Sequence, residues 1–261
     1  MITSAHNPKI QQIRSLLSRR QERHQAQSFV IEGVRLAEEA IKNGWKPQSV
    51  FFTDQLSTRG KNLLDGFSQS GADVEEITPQ LMESLAETEA PQGILAVFAL
   101  RSLPMPDRLN FVLILDNLRD PGNLGTLLRT ACAAGVQAVL LTPGTVDAFS
   151  PKVLRSGMGA QFRLPVLATA WDEIRAICQT HSNPPLKIFL AEGQEGVACW
   201  ELDLRQPLGL IIGSEAEGAS QQARQLAGSL VKIPMPGGSE SLNAAVAGSI
   251  LIFEIVRQRF T

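Results

Sequence analysis

Three segments of this 261-residue chain place glycines and polar side chains directly after apolar runs, the pattern of a ligand site at the ends of sheet strands. The first is NLRDPGNLGTLLRTACAAG, which follows the run ending at Asp116. Asn123 can cap a helix whose apolar stripe is Leu124, Leu127, Leu128, Ala131 and Cys132, and Gly135 can end it. Arg129 lies off that stripe and, taken alone, reads as a solvated helix arginine. The second, LIIGSEAEGAS, carries a buried-type strand into Gly213 and Glu215, with Gly218 ahead of a helix that starts near Ala219. Glu215 has two readings, a carboxylate complementing a helix dipole or a group with a chemical task. The third is VKIPMPGGSESLNAAVAGSILIFEIVRQR. Its Pro-Gly-Gly lets backbone approach a ligand closely, and Ser239 or Ser241 can cap the helix that follows.

What the segments lack narrows the chemistry. Gly213 and Gly218 have the outer spacing of a phosphate-binding loop, but no Lys-Ser or Lys-Thr follows to meet a triphosphate. No G-x-G-x-x-G is present, which argues against a dinucleotide. His6, His24 and His181 show no metal-ligand spacing, so no metal is expected. Cys132, Cys178 and Cys199 are scattered, as in reduced cytosolic proteins.

The elements that must position these segments follow from periodicity. Asn7 and Pro8 signal a helix start, and Ile10, Ile13, Leu16 and Leu17 then recur at helical spacing. A strand at Phe29–Ile31, a helix from Val34 to Asn43, a strand at Val50–Thr53, a helix opened by Thr78 and Pro79, and a strand over Gly93–Leu100 make a small α/β unit. The polar, proline-containing stretch RSLPMPDRLN is the expected boundary, giving domains 1–100 and 111–261 joined by linker 101–110. From Phe111 strands and helices alternate as in a parallel sheet covered on both faces. The final helix, Leu242 to Phe253, is apolar or small on almost every face, so it needs cover from a large core or a second subunit.

The hydrophobic fraction of 44% is that of a globular protein, and no apolar run approaches a membrane span or a signal peptide; a cytoplasmic protein is expected. A net charge of −2 argues against general nucleic-acid binding. The charge is unevenly spread, however. Lys9, Arg14, Arg19, Arg20 and Arg23 stand against Glu22 alone in the first thirty residues, so this end is the one expected to face phosphates.

Together the three segments resemble the SpoU (TrmH-like) branch of the SPOUT methyltransferases. The resemblance rests on Asn123, Gly125 and Arg129-Thr130-Ala131, on Gly213, Glu215 and Gly218, and on Ile233-Pro234-Met235 with Ser241-Leu242-Asn243. VLRSGMGAQFRLPV resembles the family's connecting segment, and Ala219 stands where a larger aliphatic is usual. The first hundred residues look like an L30e-like substrate-binding domain. The resemblance implies a parallel α/β sheet whose C-terminal segment threads a loop as a trefoil knot, a homodimer, and S-adenosylmethionine as cofactor. It implies cofactor contacts at Gly213, Ile233 and Leu242, with the turn Ala191 to Gly193 adding another. The implied reaction is ribose 2′-O-methylation of RNA, ribosomal RNA being favoured over tRNA by the appended domain. Arg129 is then the catalytic arginine. A guanidinium does not give up its proton, so it is expected to clamp a phosphate and stabilise alkoxide charge. Asn123 and Glu215 are expected to orient it, and Ser241 and Asn243 to shape the pocket. Arg155 is either a phosphate contact or a structural helix arginine. A non-enzymatic L30e-like RNA-binding protein would not need Asn123, Arg129, Glu215 and Asn243 together, and an unrelated nucleotide-cofactor enzyme would need the glycine fingerprints that are missing.

Overall fold

Asn7 accepts a hydrogen bond from the Lys9 amide, and Pro8 occupies the first helical position, so α1 (Pro8–Ser18) begins where those two residue types dictate. The structure is a computed structural model that describes residues 1–214 and 218–260. α2 (Arg20–Gln25) follows after a break at Arg19. Strands β1 (Ser28–Glu32), β2 (Pro47–Phe52), β3 (Asp73–Glu76) and β4 (Ile94–Ala99) form a sheet of order β1-β4-β2-β3. β4 runs antiparallel to β1 and β2, while β2 and β3 are parallel. Helices α3 (Val34–Lys42), α4 (Thr58–Gln69) and α5 (Pro79–Leu85) fill the connections. Ile10, Ile13, Leu16 and Leu17 of α1 are buried against Val30, Leu95 and Val97, the packing their spacing requires.

The chain divides into two compact units, Met1–Arg101 with Phe149–Phe162, and Ser102–Ala148 with Arg163–Thr261. Residues 149–162, read from the sequence as part of the C-terminal domain, thus pack with the N-terminal residues. The cause is aromatic. Phe149 and Phe162 join Phe29, Trp45 and Phe98, and the Trp45 indole donates to the Phe162 carbonyl at 3.1 Å.

The second unit is built on seven strands: β5 (Phe111–Leu115), β6 (Ala138–Leu141), β7 (Val166–Ala168), β8 (Lys187–Ala191), β9 (Val197–Ala198), β10 (Leu208–Ile212) and β11 (Ser229–Lys232). Their order is β7-β6-β5-β10-β8-β11-β9, and every neighbouring pair is parallel. β5, β6 and β10 are buried throughout, which is why they read as continuous apolar runs. The helices are α6 (Pro121–Ala133), α8 (Trp171–Thr180), α9 (Gln221–Leu226) and α10 (Ala244–Phe260); α7 (Pro151–Ser156) lies in the segment that joins the first unit.

Two local expectations are corrected. α6 is capped by Asp120, whose carboxylate accepts from the Asn123 amide at 2.7 Å, because Pro121 fits the first helical position. The Asn123 side chain meets Asn243 instead. α10 is capped by Asn243, which accepts from the Ala245 and Val246 amides, rather than by Ser239 or Ser241. Within this chain α10 is not covered all round: Leu242 precedes it and Val246, Ile250 and Phe253 project from it, each at least 37% exposed.

Candidate active site

Parallel strands deliver their carboxyl ends to one edge, and there the loops after β8, β10 and β11 surround a cavity of about 610 Å³. This is an ordinary size for a site that holds a small molecule. β8 contributes Ala191 and the turn to Gly193; β10 contributes Ile212 and Gly213. The loop after β11 contributes Ile233, Met235, Ser241 and Leu242, and Asn243, Ala247 and Leu251 close the wall from α10 and its cap. Asp120 and Asn123 reach in from the start of α6.

Gly213 is needed for a steric reason. A Cβ there would lie 2.9 Å from the backbone of Gly218 and Ala219, so any side chain would push the returning loop away. The loop is pinned at both described ends by reciprocal hydrogen bonds between Ser214 and Gly218, at 3.1 and 3.0 Å. Glu215, read as a catalytic residue, lies outside the described residues.

Beneath the loop sits a group that the motif reading missed. Asp116 is 1% exposed; its carboxylate accepts from the Ser220 amide at 2.7 Å and from the Thr142 hydroxyl at 3.2 Å. It thereby ties together the ends of β5 and β6 and the start of α9. The sequence signal was a carboxylate closing an apolar strand, a place where an unpartnered charge would be costly.

Asn123 and Asn243, 120 positions apart, meet at the rim: the Asn243 amide donates to the Asn123 carbonyl oxygen at 3.1 Å. The structure therefore gathers Asn123, Ser241, Asn243, Gly213, Ile233 and Leu242 at one cavity, together with Ala191 and Gly193. Arg129 is not among the lining residues. It is exposed on α6, about 9 Å along the axis from Asn123, and among the described residues no hydrogen bond or ion pair holds its guanidinium. α6 lies against α10, where Thr130 and Ser249 share a hydrogen bond of 3.1 Å and Gly248 makes room for Leu127.

The arginines read as RNA contacts separate into two kinds. Arg19 and Arg20 are exposed, as is Arg14. Arg23 is 4% exposed and donates to the Leu16 and Leu17 carbonyls at 2.6 and 3.2 Å, closing the open end of α1. Arg155 pairs with Glu87 at 2.9 Å and stands 3.9 Å from buried Glu32. The charge of Lys9 is taken by Asp73 and Glu75. Among the described residues no group of three or more His, Cys, Asp or Glu converges as for a metal, and no helix is long and apolar enough to cross a membrane.

Comparison with known proteins finds two family matches along the chain. Residues 110–253 match the SpoU rRNA Methylase family, and residues 7–96 match the MRM3-like substrate binding domain. The 23S rRNA (guanosine(2553)-2′-O)-methyltransferase RlmP of Bacillus subtilis is 33% identical, over 97% of this chain and 98% of its own. The mitochondrial rRNA methyltransferase 3 of Mus musculus is 31% identical, over 96% of this chain and 72% of its own. Among solved structures, the SpoU methyltransferase AviRb of Streptomyces viridochromogenes in complex with AdoMet superposes with a TM-score of 0.84 at 29% identity, covering 97% of this chain and 99% of its own. An AdoMet-bound rRNA methyltransferase from Sinorhizobium meliloti superposes with a TM-score of 0.86 at 28% identity, covering 98% and 97%.

Proposed function

This chain belongs to the SpoU rRNA methylase family, and we propose that it moves the methyl group of S-adenosylmethionine to a ribose 2′-hydroxyl of ribosomal RNA in the cytoplasm. The observation that carries the reading is the cavity at the strand ends, where residues from three distant segments meet. Its mixed lining and its close backbone at Gly193 and Gly213 suit a flat, polar-edged ligand such as S-adenosylmethionine. Gly213, Ile233 and Leu242, with Ala191 and Gly193, are the residues that would hold it. When bound, the cofactor supplies an electrophilic sulfonium methyl.

The chain's own residues then align the nucleophile. Asn243, fixed by capping α10 and by its bond to Asn123, offers polar atoms at the rim beside Ser241. Arg129 would grip the phosphate next to the target ribose and stabilise the charge that develops as the hydroxyl loses its proton. The guanidinium stays protonated throughout and acts as a donor.

Arg129 must come close to a cavity it does not line, and a homodimer brings it there. The apolar stripe Val246, Ile250 and Phe253 lies beside the cavity wall on α10, next to α6. The proposal requires that a two-fold interface over this stripe set α6 of one copy toward the cavity of the other. Light scattering at micromolar concentration should give twice the chain mass, and a monomer would refute the dimer. Mixing Arg129→Ala chains with Asn243→Ala chains should restore methyl transfer, since one intact site forms in each mixed dimer. Calorimetry should detect S-adenosylmethionine binding, and a strain lacking the protein should lose one 2′-O-methyl from its ribosomal RNA. An unchanged methylation map would overturn the assignment of substrate.

A further inference from the structure

A second cavity, of about 550 Å³, adjoins the first and shares Gly193, Ile233 and Met235 with it. We propose that this cavity seats an unpaired nucleobase of the substrate RNA, stacked on Trp200 with its phosphate near Lys232, beside the ribose that receives the methyl group. The proposal rests on the RNA methyl transfer argued above.

Trp200 is the first observation. It sits on the 3-10 turn Cys199–Glu201 after β9 and is 58% exposed, and among the described residues its indole makes no ring contact or hydrogen bond. Trp45, by contrast, is 3% exposed inside the aromatic cluster of the first unit. A large ring left in water forfeits burial that most tryptophans obtain, and indoles held this way serve as contact surfaces. The platform is anchored. Cys199 beside it is buried, and Gln258 of α10 donates to the Cys199 carbonyl at 3.3 Å while accepting from the Leu204 amide at 2.9 Å. A turn held at its backbone limits the entropy lost when the ring it carries stacks on a base.

The second observation is the chemistry around the ring. Pro234, Met235 and Pro236 offer an apolar wall, and Lys232, at the end of β11, brings an ammonium that donates to the Gln194 carbonyl at 3.3 Å. Among the described residues no aspartate or glutamate lines the cavity, which favours a phosphate there. Aromatic face, apolar wall and one cation are the elements with which proteins hold splayed-out bases of single-stranded RNA. Stacking accepts any base, so a subsite of this kind positions the strand and selects weakly among sequences. The shared residues Gly193, Ile233 and Met235 place a base seated here immediately beside the cofactor cavity.

The test uses the full chain with saturating S-adenosylmethionine, titrated with single-stranded oligo-uridylate and oligo-adenylate while tryptophan fluorescence is read. Both should quench the emission. Trp200→Ala should remove the quench and weaken oligonucleotide binding on the order of tenfold, and Trp200→Phe should recover most of the affinity. Lys232→Gln should lower the salt dependence by roughly one phosphate contact. Cofactor affinity by calorimetry and particle mass by light scattering should be unchanged in Trp200→Ala. Unaltered oligonucleotide affinity would overturn the subsite. Loss of cofactor binding would assign the cavity to the cofactor instead, and a fall in particle mass would assign the indole to a second copy of the chain. Methyl incorporation into ribosomal RNA by the wild type is read in parallel. Its absence would fell the methyltransferase reading, whereas its presence with unaltered binding by Trp200→Ala would fell the subsite alone.

Discussion

The two units use their polar residues in opposite ways. In the second, Asn123, Ser241 and Asn243 come from distant stretches and are delivered to the lining of one cavity. In the first, the charges that looked available are largely committed: Arg23 closes the end of α1, Arg155 answers Glu87 and Glu32, and Lys9 answers Asp73 and Glu75. The lesson is that a cluster of bases along a sequence measures charge but not access. Arg129 is of neither kind: it does not line the cavity, but it is exposed and has no partner among the described residues, so its charge is accessible.

The largest effect expected is at Arg129. Replacing it by Ala should lower the turnover of methyl transfer on the order of 100-fold or more, as for other groups that stabilise developing charge. Cofactor affinity and melting temperature should stay near those of the wild type, since an exposed helix position leaves no cavity when truncated. Arg129→Lys should fail nearly as badly, because an ammonium keeps the charge and loses the planar fork. Near-normal turnover in the Lys variant would show that charge alone suffices and that an oriented clamp is the wrong mechanism.

Much of the second unit was legible because its signals are backbone signals. Apolar runs ending at Asp116, Leu190 and Ile212 marked parallel strands, and glycines and prolines after them marked loops that a ligand can approach. Cap residues were harder to assign. In RDPGN both Asp120 and Asn123 can cap, and the choice fell to the one preceding Pro121. In SESLN three candidates compete, and the loop conformation selected Asn243. Residues 149–162 were assigned by chain order, whereas aromatic packing with Phe29 and Trp45 decided where they went. Contacts between residues more than a hundred positions apart leave no local period to read. Trp200 passed unnoticed for a similar reason: exposure of a single ring depends on which elements come to lie beside it.

The next effect in size sharpens the contrast from the other side. Arg23→Ala should destabilise the protein by roughly 2 kcal/mol, because buried hydrogen bonds from a charged donor to the Leu16 and Leu17 carbonyls are lost and those carbonyls lie at a helix end. Arg155→Gln should also lower the melting temperature, by removing a countercharge from Glu87 and buried Glu32. Neither should change the salt dependence of RNA binding. If Arg23→Ala reduced that dependence while leaving stability intact, the buried-cap assignment would be wrong and the contrast between units would collapse.

The smallest effects belong to the charges of the first unit that remain exposed, Arg14, Arg19 and Arg20. Each one that meets a phosphate releases a counterion on binding, so replacing it by Gln should lower the slope of log affinity against log salt by roughly 0.7 to 0.9. Stability should hold, since none of the three is buried. Cofactor affinity should hold as well, because none lines the cavity. The triple replacement should lower the slope by about the sum of the single changes if all three touch RNA, whereas three silent substitutions would mean that RNA reaches this protein by another face. The single variants then separate the contributions: Arg19 sits at the break between α1 and α2, where the chain leaves one helix for the next, and Arg14 stands more than a turn earlier on α1. A slope change at Arg19 and Arg20 without one at Arg14 would put the phosphate path across that break.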